Sequence, residues 1–435
     1  MLTELKSLRH LKSTLARNTL WLLVGQGFKL LIQALYFTVI ARSLGAQNYG
    51  AFVGVVGLVG ILLPFATMGS GFLLIKNVSR DKGQFRKNFG MALLITSSSA
   101  AFLFAVVVGI SHFLFPDTIP MKLIMMVAAS DLFCSNLAVI CGQAFQAFER
   151  MKWTASISVL LSALRLGAAV ILAIVKSKPT ALEWGEFYLV STGMVALLAL
   201  ILVLAKLGAP AFNFARPVAE IREGFYFSVA QSAQTIYNDI DKAMLARLST
   251  LEATGIYGAA YRLIDVSFTP VASVLAAAYP NFFRVGVGGI LVTLRYARPL
   301  IARALGYAAL IAVAILAGAG VVPLILGSEY RLTSEALRWL AVLPLLKAVH
   351  SFLGDALTGA GYQALRTAIG AGVAMFSVCI NMWVIPVYSW RGAAWSSIAS
   401  DALLLSAFAT AAFALLRRSQ HLASPSKVIE ARAET

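Results

Sequence analysis

Charge is scarce in this chain of 435 residues. Asp, Glu, Lys and Arg make up 13% of it, against 59% for hydrophobic residues. A soluble domain is nearer a quarter charged and half apolar, so a water-soluble globular protein is excluded. Cysteine is scarce too. Cys134, Cys141 and Cys379 all fall inside apolar stretches and show no CxxC or other ligand spacing. They read as small buried hydrophobes, which excludes a disulfide framework or a zinc site. The absence of a Walker motif excludes a built-in ATPase, and Gly286, Gly288 and Gly289 lack the βαβ surroundings of a nucleotide fingerprint. No connection is long enough to house a polymerase or ligase site. No Asp-rich motif or soluble domain suggests a glycosyltransferase. The expectation is a non-enzyme with no cofactor and no metal.

What is present is length of apolar run. Stretches of 20 or more residues recur, each able to cross a hydrocarbon core of roughly 30 Å as a helix. Twelve spans can be read, near 18–42, 48–75, 89–115, 120–148, 153–175, 184–206, 224–247, 253–283, 299–326, 333–358, 363–388 and 391–416. The first apolar run is too long for the h-region of a cleaved signal, so it is expected to be a retained helix. The fold class expected is an all-α polytopic membrane protein with about 12 transmembrane helices in two parallel-repeat six-helix bundles. Its parts are a cytoplasmic N-terminal segment (1–17), a first bundle (18–206), a cytoplasmic linker (207–223), a second bundle (224–416) and a cytoplasmic tail (417–435). The tail is expected to be disordered from about Ser419. The stretch from Arg284 to Arg303 is read as a candidate amphipathic segment on the inner face.

The excess of positive charge, +17, belongs to membrane orientation and not to nucleic acid. The N-terminal segment, the even connections and the tail carry 23 Lys and Arg, and the odd connections 7. That bias puts both termini in the cytoplasm, which requires an even number of spans.

One polar pattern is written twice inside the apolar background. Gln26, Lys29, Gln33 and Arg42 recur 205 residues later as Gln231, Gln234, Asn238 and Arg247. Tyr49-Gly50-Ala51 follows the first copy and Tyr257-Gly258-Ala259 the second. Spacings of 3 and 7 place the first three residues of each copy on one helical face. A polar stripe on an apolar helix must look into protein or a water-filled cavity. Two copies imply two related halves around a cavity, the arrangement of a transporter. The copies differ in charge, since Gln234 stands where Lys29 stood.

Other ionisable residues also lie within spans: Asp131 and Arg165 in the first half, then Asp239, Asp241, Lys242, Arg262, Asp265, Lys347, His350, Asp355 and Asp401. Each costs roughly 3 kcal/mol at the bilayer centre on insertion scales, so lipid-facing positions are implausible. Two readings stand. In one the charges pair, Asp239 with Lys242 and Arg262 with Asp265, and only fix geometry. In the other, cations facing the cavity bind a crossing anion. Lys29, Arg165 and Lys347 suit the second, because no acid lies within one turn of Lys29 or Arg165 on its own helix. The substrate-binding candidates are thus Gln26, Lys29, Gln33, Arg165, Gln231, Gln234, Asn238, Lys242, Arg262 and Lys347. Asp131, Asp241 and Asp355 are the candidates for ion coupling. Interior Pro64, Pro270, Pro299, Pro323, Pro344 and Pro386 are expected bending points.

Several runs carry a family likeness. They are Leu15-Ala-Arg-Asn-Thr-Leu-Trp21, Ala41-Arg-Ser-Leu-Gly45, Tyr49-Gly-Ala-Phe52, Gly69-Ser-Gly71 leading into Lys76-Asn-Val-Ser-Arg-Asp81, Tyr237 to Arg247, and Thr254 to Arg262. Together they resemble bacterial polysaccharide flippases of the Wzx type, in the superfamily that includes multidrug and toxin extrusion carriers. The resemblance implies an undecaprenyl-diphosphate-linked oligosaccharide as substrate, turned from the inner to the outer leaflet of the bacterial cytoplasmic membrane. A cationic cavity would hold its diphosphate. The partners implied are that lipid-linked oligosaccharide, membrane lipids, and the polysaccharide polymerase and glycosyltransferases. The alternatives are a cation-coupled multidrug exporter, or a membrane enzyme or assembly component of cell-surface glycan synthesis.

Overall fold

A computed structural model describes residues 2–212 and 218–422. The side chains of 2–25, of 218–223 and of several later positions, Gln231 and Gln234 among them, lie outside that description, as do 213–217 of the linker and 423–435 of the tail. Among the described residues there are helices and turns and no strand. The helices are α1 (Leu2–Thr67), α2 (Ser70–Arg80), α3 (Phe85–Leu114), α4 (Met121–Ala128), α5 (Asn136–Ala147), α6 (Met151–Val175) and α7 (Ala181–Leu207). They continue as α8 (Val218–Leu248), α9 (Leu251–Gly286), α10 (Ile290–Gly318), α11 (Val322–Leu326), α12 (Arg331–Leu340), α13 (Leu343–Gly359) and α14 (Gln363–Leu422).

Each of the twelve spans expected from the sequence falls on this helical framework. Among the described residues seven helical stretches are long and apolar enough to cross a membrane, and an eighth is the bent pair Ser328–Leu340 and Leu343–Gly359, which turns by 44°. Two of the seven, Gln26–Arg80 and Gln363–Arg418, are 55 and 56 residues long. Such lengths are two spans each, because 20 residues already cover about 30 Å. The backbone breaks where a two-span reading needs it, at Gly45 (φ 71°) and Ser389 (φ 55°). The remaining two rods, α8 and α9, are not among the apolar stretches. They carry Asp239, Asp241, Lys242, Arg262 and Asp265, five of the ionisable residues within spans.

The break at Gly45 has a specific partner. Ala46 N–H donates to Glu329 Oε2 at 3.0 Å, so Glu329 caps the second arm of α1. The left-handed φ of Gly45 favours glycine, and a Cβ there would sit 2.3 Å from that carboxylate, so Glu329 would have to shift away from its cap.

The described residues group into two compact units. The first is Met1–Gly255 with Ile325–Glu329, and the second is Ile256–Leu324 with Tyr330–Thr435. In the first, Phe85, Phe89, Phe145, Leu74, Val78 and Val203 form an apolar core among α2, α3, α5 and α7. The second arm of α1 also packs along α8, which is why α8 groups with this unit. Glycines permit the approach. A Cβ on Gly50 would lie 1.7 Å from the Leu251 carbonyl oxygen, one on Gly54 2.5 Å from Ala246 Cβ, and one on Gly57 3.3 Å from the Asp239 carbonyl oxygen. This is the small-residue seam by which membrane helices bring backbones together. In the second unit Phe282, Phe352, Ala304, Ala308 and Ala356 join α9, α10 and α13. The stretch from Arg284 to Arg303 is no separate amphipathic element. It is the end of α9 and the start of α10, joined at Gly289 (φ 81°).

Candidate functional site

Span four contains a π-helical insertion, Ala129–Ser135, between α4 and α5. The wider turn re-aims side chains, and such bulges recur at functional sites. Here it presents Asp131 and Ser135 to α6 and α7. Asp131 Oδ1 accepts from Tyr188 Oη at 2.8 Å, Ser135 Oγ at 3.1 Å and Arg165 Nη2 at 3.2 Å. Arg165 Nη2 also donates to Ser135 Oγ at 2.9 Å, and its Nε to Thr192 Oγ1 at 3.1 Å. The guanidinium carbon stands 4.2 Å from the centroid of the Tyr188 ring. Arg165 therefore has the distant acid that its own helix lacks, together with an aromatic face. Asp131, a candidate coupling acid, is the anchor of this junction.

The face of Gln26, Lys29 and Gln33 lies on the first arm of α1. Gln26 is exposed, and Lys29 and Gln33 are half-buried. Of its second copy, Gln231 and Gln234 lie outside the described side chains, and Asn238 is half-buried. Lys242 is buried, pairs with Asp239 and donates from Nζ to the Asn238 carbonyl at 3.1 Å. The pairing reading thus holds at Asp239 and Lys242. Asp241 is buried, and its Oδ1 accepts from the Lys242 backbone N–H at 2.8 Å.

In the second unit the pairing differs from the one spaced three apart. Asp265 Oδ1 lies 3.8 Å from Lys347 Nζ. Lys347 donates to Tyr261 Oη at 2.9 Å and sits 4.7 Å from that ring's centroid. Arg262 is half-buried and has no ion pair among the described residues. Each unit therefore holds one cation laid on a tyrosine beside an acid: Arg165, Tyr188 and Asp131 in the first, Lys347, Tyr261 and Asp265 in the second. Sequence reasoning missed both tyrosines, because a lone Tyr in an apolar helix carries no periodic signal. Farther along α13, Asp355 pairs with Arg366 at 2.9 Å, and the same Nη1 donates to Thr358 Oγ1 at 2.9 Å. His350 Nε2 lies 3.2 Å from Asp401 Oδ1.

A family model described as polysaccharide biosynthesis protein matches residues 15–285. The chain belongs to that family. The likeness to Wzx-type flippases read from the sequence motifs is borne out. No curated protein matches by sequence. Solved structures match over nearly the whole chain. An inward-facing multidrug resistance MATE family transporter of the MOP superfamily aligns with a TM-score of 0.74 at 13% identity, covering 89% of this chain and 96% of that one. The lipid II flippase MurJ in an inward closed conformation gives 0.71 at 10% identity, covering 89% and 86%. A mutant of the Vibrio cholerae MATE transporter VcmN gives 0.58 at 14% identity, covering 96% and 98%. At these identities the likeness is one of fold. Family and fold together make this polysaccharide biosynthesis family member a multi-pass membrane protein that shares its fold with those transporters and that flippase.

Proposed function

We propose that this protein flips an undecaprenyl-diphosphate-linked oligosaccharide from the inner to the outer leaflet of a bacterial inner membrane. It does so by alternating access of two six-helix bundles, for O-antigen, capsule or exopolysaccharide synthesis. The match of the polysaccharide biosynthesis family over residues 15–285 carries the reading. The cations within spans, Lys29, Arg165, Lys242, Arg262 and Lys347, are the groups that would meet a diphosphate. Both termini lie in the cytoplasm, and the polysaccharide polymerase and glycosyltransferases are the partners that consume and supply the substrate.

The substrate path draws on the stripe Gln26, Lys29 and Gln33 and its copy Gln231, Gln234 and Asn238. Among the cations, Lys29, Arg165, Lys242, Arg262 and Lys347 are the candidate diphosphate contacts. Arg165, Lys242 and Lys347 each also neutralise an acid. Asp131, Asp241 and Asp355 remain the acids assigned to coupling by position. The MATE likeness favours one second reading, a cation-coupled multidrug exporter.

A cellular test separates the two. In a host whose own flippase gene is deleted, the wild-type chain restores surface glycan, and Lys29→Ala does not, at equal membrane abundance. Restoration by Lys29→Ala, or drug resistance without glycan from the wild type, overturns the proposal.

A further inference from the structure

One side of α12 is chemically mixed. Glu335, Arg338, Trp339 and Val342 follow one another at i, i+3, i+4 and i+7, the spacing of a single helical face. With Ile398 on the second arm of α14 they line an open groove of about 500 Å³, the size of an ordinary ligand site. Its apolar wall is Trp339, Val342 and Ile398, and both Trp339 and Val342 are exposed. Val342 lies in the break of the bent span, between the end of α12 and the start of α13. Every one of these residues belongs to the second unit.

The two charged residues of the groove differ in what they already hold. Glu335 is occupied. Its Oε1 accepts from Arg391 Nη2 at 3.0 Å and from Nε at 3.2 Å, and its Oε2 accepts from the same Nη2 at 3.2 Å. Arg338 is exposed and makes no side-chain hydrogen bond or ion pair among the described residues. The groove therefore offers one uncommitted cation beside an apolar wall. Aromatic rings gather around it. The centroids of Trp339 and Trp395 are 6.1 Å apart, those of Tyr388 and Trp395 5.0 Å, and the Arg391 guanidinium carbon stands 5.2 Å from the centroid of Trp390. Trp and Tyr concentrate where a membrane-spanning chain meets the headgroups, so the groove opens at the depth of lipid phosphates.

We infer that this groove is a binding site for an anionic phospholipid. Arg338 takes the phosphate, and Trp339, Val342 and Ile398 carry the first part of an acyl chain whose remainder stays in the bilayer. Basic pockets between spans hold anionic headgroups in this way. A zwitterionic lipid would bring an ammonium group as well, and the acid that could meet it, Glu335, is already paired with Arg391. One free cation suits a single phosphate better than the diphosphate of the proposed substrate. On the orientation proposed from the basic residues, the bound lipid belongs to the outer leaflet.

The test places the full chain in phosphatidylethanolamine liposomes with a minor fraction of phosphatidylglycerol that carries a diazirine on its acyl chain. After photolysis, mass spectrometry of the peptides locates the label. Label is expected on the peptides that contain Trp339 and Ile398. Arg338→Gln should carry about five-fold less, the weight of one cation at a lipid surface. Arg338→Lys should keep most of the label, and Trp339→Ala should lose it with the charge intact. Arg303→Gln, an exposed cation outside the groove, should leave it unchanged. Label absent from both peptides, undiminished in Arg338→Gln, or equally strong from a diazirine phosphatidylcholine overturns the inference. Displacement by excess inorganic phosphate would make this a free-anion site, and displacement by undecaprenyl diphosphate a substrate site; either result also overturns it. No readout requires flipping, so failure of the flippase reading and failure of the lipid site are separate results.

Discussion

Replacing Asp131 tests whether Arg165 is an architectural cation or a substrate ligand. In Asp131→Ala the guanidinium loses its anionic partner inside the first unit, and Tyr188 and Ser135 lose their acceptor. Breaking one side of a buried ion pair costs about 3–5 kcal/mol, since the orphaned charge stays desolvated. Arg165 keeps its bonds to Thr192 and Ser135 and its place on the Tyr188 ring, so the lower end, about 3 kcal/mol, is expected. That is about two decades in the folding equilibrium. The double variant Asp131→Leu with Arg165→Met removes both charges, and substitution of a whole buried pair by apolar residues is often neutral. It is therefore expected to be destabilised by less than either single change, with a coupling energy of about 2–3 kcal/mol. The assay is denaturation in detergent micelles across the four-member cycle, followed by flipping in liposomes. Single variants that each cost under about 1 kcal/mol would refute the architectural reasoning. A folded double variant that has lost flipping while Asp131→Leu alone retains it would return Arg165 to the substrate path.

Other outcomes follow from the packing. Gly54→Leu should disrupt the seam between α1 and α8, costing about 1–3 kcal/mol as overpacking, read from thermal unfolding; the unchanged stability of that variant would mean the seam is open. Glu329→Ala removes the cap on the second arm of α1 and should cost about 0.5–2 kcal/mol, with Glu329→Gln recovering part of it. Reporter fusions after Lys87 and Arg303 should read as cytoplasmic, and fusions after Asp117 and Glu329 as external. The reversed pattern would contradict the orientation proposed from basic residues.

Hydropathy made the helical class and the positions of the twelve rods legible, including α8 and α9 with their embedded charges. The break at Gly45 was visible only as a connection, because its cap, Glu329, is 284 residues away. Spacing alone correctly paired Asp239 with Lys242, one turn apart, where local geometry decides. It did not find Lys347 for Asp265, because that choice depends on how α13 packs against α9. The same holds for Arg165. Its own helix offers no acid, which suggested a ligand-seeking cation, but the π-turn in span four delivers Asp131 from another helix. The glycines at 50, 54 and 57 were in plain view with helical spacing; what they face depends on tertiary packing that spacing does not specify.

The central claim is that this chain moves a lipid-linked oligosaccharide across a bilayer. The most direct measurement places the purified full-length protein in liposomes bearing a fluorescent undecaprenyl-diphosphate-linked oligosaccharide. A membrane-impermeant reductant then quenches whatever reaches the outer leaflet. The account predicts that the protein makes nearly all of the label accessible, at a rate that falls sharply in Lys29→Ala. Quenching that stays at the half expected of protein-free liposomes, from a protein shown to be folded, would contradict it.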